Sequence, residues 1–274
     1  MRRWTARPRI KRLTLLIGCC ATVLACGCAT FSRPRRIPEV TPPSADDALI
    51  EEILRTFAER DAALHNFKTK VRFKLESPDL EKAESLPGSM AFERPDKLRL
   101  KAHRTILGID AFDLISRGKE FYLSVPREKK VFYEKEGVAV EGMPFSVSPV
   151  DIVRELFVPE EWASVSAARV RILSRSADET TMGVYYNFRL KRKMVVTLDR
   201  YSIVRSERYG EDGSLLAVSE LDRYEERDGQ WLPMRLSISY PRDATSLTLT
   251  LDNLAANRDL NPQMFKFPWQ TTGS

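Results

Sequence analysis

From Phe67 onward the chain alternates apolar and polar residues with a period of two, and this pattern dictates a β body. Phe67, Thr69, Val71, Phe73 and Leu75 alternate with Lys68, Lys70, Arg72, Lys74 and Glu76. Successive side chains on a strand point to opposite faces, so the run has one apolar face and one charged face. Similar short runs follow at residues 90–92, 98–101, 109–115, 121–125 and 130–133. They resume at 170–173, 184–190, 194–198, 202–209, 215–224, 231–240 and 247–251. Arg94-Pro95-Asp96, Arg117-Gly118, Pro126-Arg127, Asp212-Gly213, Asp228-Gly229 and Pro241-Arg242-Asp243 supply the turns, and residues 77–87 read as a polar loop. Half-buried strands joined this tightly predict an antiparallel meander.

Two segments break the period. After Ser44, the residues Ile50, Ile53, Leu54, Phe57 and Leu64 recur at helical spacing, with Glu51, Glu52, Arg55 and Glu59 on the other side. Ser44 and Asp47 form a start resembling a capping box. Ser148-Pro149-Val150-Asp151 opens a second helix carrying Ile152, Val153, Leu156 and Phe157, which Pro159 ends. About 230 structured residues are ample for one large core. The expected fold class is α+β: a strongly curved antiparallel sheet forming an incomplete barrel, with amphipathic helices lining or closing its concave side.

The first 43 residues belong to a different kind of chain. Arg2, Arg3, Arg7, Arg9, Lys11 and Arg12 precede an apolar run from Leu13 to Leu24. A basic segment and a short apolar core ending in small residues make a secretory signal, and the run is too short to span a bilayer. Val23-Leu24-Ala25-Cys26 resembles the lipobox of bacterial lipoproteins, which places the lipid on Cys26; Cys28, after Gly27, offers a second register. Residues 1–25 are thus read as a signal peptide and 26–43 as a lipidated tether rich in proline and arginine. Residues 44–270 form the folded domain.

Charge follows from this division. The chain is +6 overall, but six of its 44 Lys and Arg lie in the signal, leaving 38 charges of each sign. A neutral body gives no electrostatic reason to bind nucleic acid. All four cysteines lie between residues 19 and 28, so the domain has no disulfide framework, cysteine zinc site or cysteine nucleophile.

The domain is also poor in chemistry. It has two histidines, His65 at a helix end and His103 at a strand end, and none of the common nucleophile, phosphate-loop or zinc motifs. Asp110 and Asp113 are three apart in a strand, which predicts opposite faces and a role as strand-edge charges. Asp151 and Glu155 complement a helix dipole. No enzyme activity and no cofactor or metal are expected. What the domain does offer is an apolar concavity, suited to acyl chains. Its candidate lining is Phe57, Phe73, Leu98, Leu100, Phe112, Leu114, Ile152 and Leu156.

The order of parts resembles the LolA/LolB family of lipoprotein-handling proteins. The likeness rests on an opening helix, a strand ending near Leu75, and Gly-x-x-x-Phe-x-Arg-Pro-x-Lys-Leu-Arg-Leu from Gly88 to Leu100. It continues with Leu107-Gly108, Phe112-Asp113-Leu114 and the ending Leu260-Asn261-Pro262 with Phe265-Lys266-Phe267-Pro268. These signatures spread over residues 45–268. The resemblance implies acyl chains of lipoproteins or lipids as ligands and a soluble carrier of the LolA type as a partner. With a lipid anchor it points to the LolB-like side: a receptor in the outer membrane, facing the periplasm, that inserts lipoproteins. Gly27 or Ala29 after the modified cysteine lacks the aspartate that retains lipoproteins in the inner membrane of enteric bacteria. The family's membrane-insertion loop falls on Ile106 and Leu107. A mature chain longer than expected for LolB leaves two alternatives of the same fold, a lipid-binding lipoprotein or an envelope sensor or scaffold with a protein partner.

Overall fold

The computed structural model describes residues 45–78, 83–103, 110–135 and 165–271. Helix α1 spans Ala45–Ala63 and buries Ile50, Ile53, Leu54 and Phe57, the stripe that the spacing predicts. Thirteen antiparallel strands follow. β1 (Asn66–Glu76), β2 (Glu84–Glu93), β3 (Lys97–His103), β4 (Asp110–Arg117), β5 (Glu120–Val125) and β6 (Lys130–Glu134) form one wing. β7 (Val170–Arg175), β8 (Glu179–Tyr186), β9 (Arg189–Thr197), β10 (Ile203–Tyr209), β11 (Leu215–Arg227), β12 (Gln230–Tyr240) and β13 (Thr245–Ala256) form the other. β13 returns to pair with β1, joining the wings into one sheet whose outermost strands among the described residues are β6 and β7. The incomplete barrel of the sequence reading is what the chain forms.

The curvature is visible at the end of α1. Arg60 donates to the carbonyls of Tyr201 (3.1 Å) and Arg200 (2.6 Å) in the β9–β10 turn. Its neighbour Asp61 pairs with Arg94 in the β2–β3 turn. β2 and β10 are five strands apart, about 24 Å in a flat sheet. The helix also packs on the edge strand β7 and on β12, so the sheet curls round it.

Alternate strand connections define two ends of the sheet. At the base lie the end of α1 and the β2–β3, β4–β5, β9–β10 and β11–β12 turns. At the rim lie the β5–β6, β8–β9, β10–β11 and β12–β13 turns, together with the end of β3 and the start of β4. Asn257 ties the base together. It accepts from the His65 amide (2.8 Å) and donates to the Ala63 carbonyl (2.8 Å), one of the carbonyls that a helix leaves unpaired at its end.

The C-terminal tail docks on the convex side of the first wing. Asn261 accepts from the Gln263 amide (3.0 Å) and so caps a 3-10 turn over Pro262–Phe265. Phe265 and Phe267 are buried, Arg99 donates to the Met264 carbonyl (3.1 Å), and Trp269 meets Tyr133 edge-on at 4.9 Å. This cover explains why Ala91 and Ile115 are buried although they face outward. Among the described residues, the buried apolar ones lie between Ile50 and Phe267, within the compact unit Pro43–Ser274. That unit carries a core of its own, the requirement for independent folding.

Three expectations need correction. The run at 184–190 is not one strand: Asn187 and Phe188, with φ of 49° and 62°, turn the chain between β8 and β9. The loop expected over 77–87 stops earlier, because β2 begins at Glu84. Pro87 misled the reading; β3 pairs only from Gly88 onward, so Pro87 has a strand on one side, the condition under which strands tolerate proline. Asp110 and Asp113 do not face apart. A bulge between Ala102 and His103 shifts the register, so Asp110 pairs with Lys101 (2.9 Å) while Asp113 pairs with Arg99 (2.6 Å). β4 is an inner strand, and neither acid protects an edge.

Candidate functional site: the concave face

Strand register decides which side chains share the concave face. Phe73 lies opposite Leu249 and Leu86, Met90 opposite Leu100, Leu100 opposite Leu114, and Leu114 opposite Leu123. In the second wing Leu236 lies opposite Leu249 and Leu221, and Met182 opposite Met194. These residues and the stripe of α1 form one continuous apolar cluster. Small residues make room in it. A Cβ on Gly88 would sit 2.1 Å from the Lys101 carbonyl and 2.7 Å from the Phe73 ring. With Gly88 and Ala102 in place, Phe73 and Phe112 meet edge-on at 5.2 Å.

The two ends of the concavity differ. At the base, Arg60, Asp61 and Arg94 form a half-buried polar network, and burial pushes the Asp61 carboxyl above its usual range and the Arg60 guanidinium below its own. Tyr224 donates to the Ile203 carbonyl (2.7 Å), and burial raises its phenol well above the ordinary range. Trp231 stacks on Tyr224 and donates to Ser202 (2.8 Å), with Arg200 over its ring. These groups stopper the base. Toward the rim, Leu86, Phe112, Phe132, Ile172 and Tyr186 pack on the core but remain partly exposed.

The concave face is not wholly apolar. Arg192, only 7% exposed, faces inward from β9 and donates to Ser206 (2.9 Å). Ser219 on β11 lies opposite Ser206, and Arg208 on β10 lies opposite Arg192. An apolar tail bearing a polar head finds both environments on this face.

Of the candidate lining, Phe57, Phe73, Leu98, Leu100 and Leu114 are buried in the single cluster, and Phe112 is the one left partly exposed. Ile152, Leu156, Ile106, Leu107, Cys26 and Cys28 lie outside the described residues. Leu86, Phe132 and Tyr186 were not singled out from sequence. Leu86 had a signal, the alternation Leu86, Gly88, Met90, which Pro87 obscured. His103 contacts Asp110 (2.8 Å) on the outer side, and among the described residues no three His, Cys, Asp or Glu side chains gather to hold a metal. Trp231 stacks at the base and Tyr240 is buried, whereas Trp269 is exposed and packs against Tyr122 and Tyr133 on the outer side.

No family model matches the sequence, and none of the curated proteins matches it. Solved structures do match the fold. A DUF1329 family protein from Desulfovibrio piger superposes with a TM-score of 0.60 at 12% identity, covering 79% of this chain and 97% of its own. A LolA superfamily protein from Nitrosomonas europaea gives 0.53 at 12% identity, covering 80% and 98%. A domain from Vibrio parahaemolyticus, named for outer membrane lipoprotein sorting, gives 0.53 at 13% identity, covering 79% and 97%. The likeness first read from Gly88–Leu100 and the closing tail is therefore one of fold: this chain shares the incomplete antiparallel barrel of the LolA superfamily structure.

Proposed function

We propose that the protein is an exported, lipid-anchored receptor that takes acyl chains against its concave face, receives lipoproteins and inserts them into the outer membrane. The observation that carries this reading is the asymmetry of the concavity, polar and stoppered at the base, and toward the rim apolar and partly exposed at Leu86, Phe112 and Phe132 with the inward-facing Arg192 on the second wing. An acyl chain enters beside Phe112, Leu86 and Phe132, with Phe57, Phe73, Leu98, Leu100 and Leu114, together with Ile152 and Leu156, as its lining. Lipid on Cys26, or in the second register Cys28, holds the domain at the periplasmic face of the outer membrane, and Ile106 and Leu107 enter the bilayer during transfer. The reading needs no catalytic residue and no cofactor, and it takes a soluble LolA-like carrier as the donor. Fold likeness to a LolA superfamily protein and to a domain named for lipoprotein sorting supports it.

Displacement of an apolar fluorescent dye from the Pro43–Ser274 unit tests the site. Phe112→Glu places a charge among the partly exposed rim residues and should weaken acyl binding about tenfold or more, because an unpaired carboxylate is costly in apolar surroundings. It also loses the contact with Phe73, so its thermal stability should fall, by less than for a fully buried core residue because Phe112 is partly exposed. Binding is compared at a temperature where both proteins are folded. A unit that binds neither dye nor acylated peptide sinks the proposal.

A further inference from the structure

The β8–β9 hairpin carries a residue that its own turn disfavours. Two residues join the strands, and both have positive φ, 49° at Asn187 and 62° at Phe188. This is the type I′ arrangement, whose second position glycine fills at no steric cost and which a bulky residue fills under strain. Phe188 gains no packing in return: it is 97% exposed, the most exposed of the large apolar residues among those described. A strained aromatic residue held in water points to a task away from the domain's own core.

Its surroundings narrow that task. No acidic residue occurs between Glu179 and Asp199, a stretch that contains Arg189, Lys191, Arg192 and Lys193. Arg189 is exposed beside the tip, and its guanidinium donates to the Glu211 carbonyl (2.7 Å). Lys191 and, at 3.9 Å, Arg189 pair with the Glu211 carboxylate, and Lys193 pairs with Glu207 (3.3 Å), which leaves Arg169 and Arg171 as the cations held over tyrosine rings. Behind the tip, Arg169 lies over the Tyr186 ring at 4.7 Å and Arg171 over Tyr185 at 5.7 Å, both arginines exposed. An apolar ring at the apex, tyrosines below it and arginines around it match the layers of a bilayer interface with anionic headgroups.

The topology agrees. The hairpin is at the rim, the end where β3 stops and β4 starts. Helix α1 ends at the base and also packs against the turn at Ala167–Arg169, beside the rim start of β7. Its 19 residues run about 28 Å. Ala45, where the N-terminal extension is joined, therefore lies toward the same end as Phe188.

We propose that Phe188 is a membrane-docking residue: the β8–β9 tip inserts its ring at the interface of a bilayer containing anionic phospholipid, while Arg169, Arg171 and Arg189 contact the headgroups. The rim then faces the membrane. This holds whether or not the concave face carries acyl chains, so the two proposals fail separately.

The test uses the Pro43–Ser274 unit, which contains no cysteine, with sucrose-loaded vesicles of phosphatidylglycerol and phosphatidylcholine. The unit should sediment with them and lose binding as phosphatidylglycerol is removed. Phe188→Gly should lower the partition coefficient about tenfold while raising the melting temperature, because it removes the ring and relieves the turn. Arg189→Gln should lower partition about fivefold, the scale expected for one basic residue near an anionic surface. A polarity-sensitive dye on Phe188→Cys should shift to the blue on vesicle addition, and the same dye on Glu226→Cys at the base should not. The proposal is overturned if the unit fails to sediment, if Phe188→Gly sediments like the parent, or if the dye at 188 stays in water while the protein is bound.

Discussion

The two wings of the sheet share one concave core but finish their outer faces by different physics. Over β2–β6 the outer face is covered by the tail, which buries Phe265, Phe267, Ile115 and Ala91. Over β9–β12 it is left to charge. Arg205 bridges Glu207 (3.0 Å) and Glu220 (2.8 Å), Lys193 reaches Glu207 (3.3 Å), and Tyr209 donates to the same carboxylate (2.6 Å). Apolar burial is worth kilocalories per side chain, whereas exposed ion pairs are worth about 0–1 kcal/mol. The first wing should therefore be sensitive to its outer face and the second nearly indifferent.

Substitutions can break this comparison. The reference is the shared core, where Phe57→Ala should cost about 3–5 kcal/mol and lower the denaturation midpoint of Pro43–Ser274 the most. Phe267→Ala should cost nearly as much, about 3–4 kcal/mol, although it lies outside the barrel. Gly88→Ala should cost about 1–3 kcal/mol through overpacking, since its new methyl group meets the Lys101 carbonyl. Arg205→Ala should cost at most about 1 kcal/mol. If Phe267→Ala and Arg205→Ala prove equal in chemical denaturation, the contrast between the wings is false.

The second wing has a pH signature instead. Burial opposes ionisation of Glu207, but donation from Tyr209, Arg205 and Lys193 outweighs it and holds the carboxyl below its usual range. Stability from this group is present above the ordinary glutamate range and lost as pH falls through the lower folded value. Tyr209 is pushed up to about 12, by burial first and then by Glu207. Its contribution is present below the ordinary tyrosine range and lost as pH rises toward that value. Glu207→Gln should flatten the acid limb of a stability–pH curve, and Tyr209→Phe the alkaline limb. Unchanged limbs in both variants would remove the electrostatic account of this face.

Much of this architecture was legible in the residues. The stripe Ile50, Ile53, Leu54, Phe57 and the alternation from Phe67 to Leu75 specify which faces are buried, because side-chain direction follows from backbone period alone. The tail was legible through its aromatic residues. What escaped has a common cause: local backbone geometry that no period encodes. Asn187-Phe188 makes a turn without glycine or proline, so the strand pattern runs through it in the sequence and hides the exposure of Phe188. The bulge at Ala102/His103 is likewise invisible in sequence, yet it brings Asp110 and Asp113 to one face. The partly exposed rim set, Leu86, Phe112, Phe132 and Tyr186, depends on which strands curl together, a tertiary outcome of the whole sheet.

The central claim is that the concave face carries acyl chains, and the most direct test is to ask what it carries. Native mass spectrometry of the Pro43–Ser274 unit purified from the bacterial periplasm, followed by identification of the released ligand, should find a phospholipid or an acylated peptide, lost in Phe112→Glu. A homogeneous unliganded mass, unchanged after incubation with acylated peptide, would contradict it.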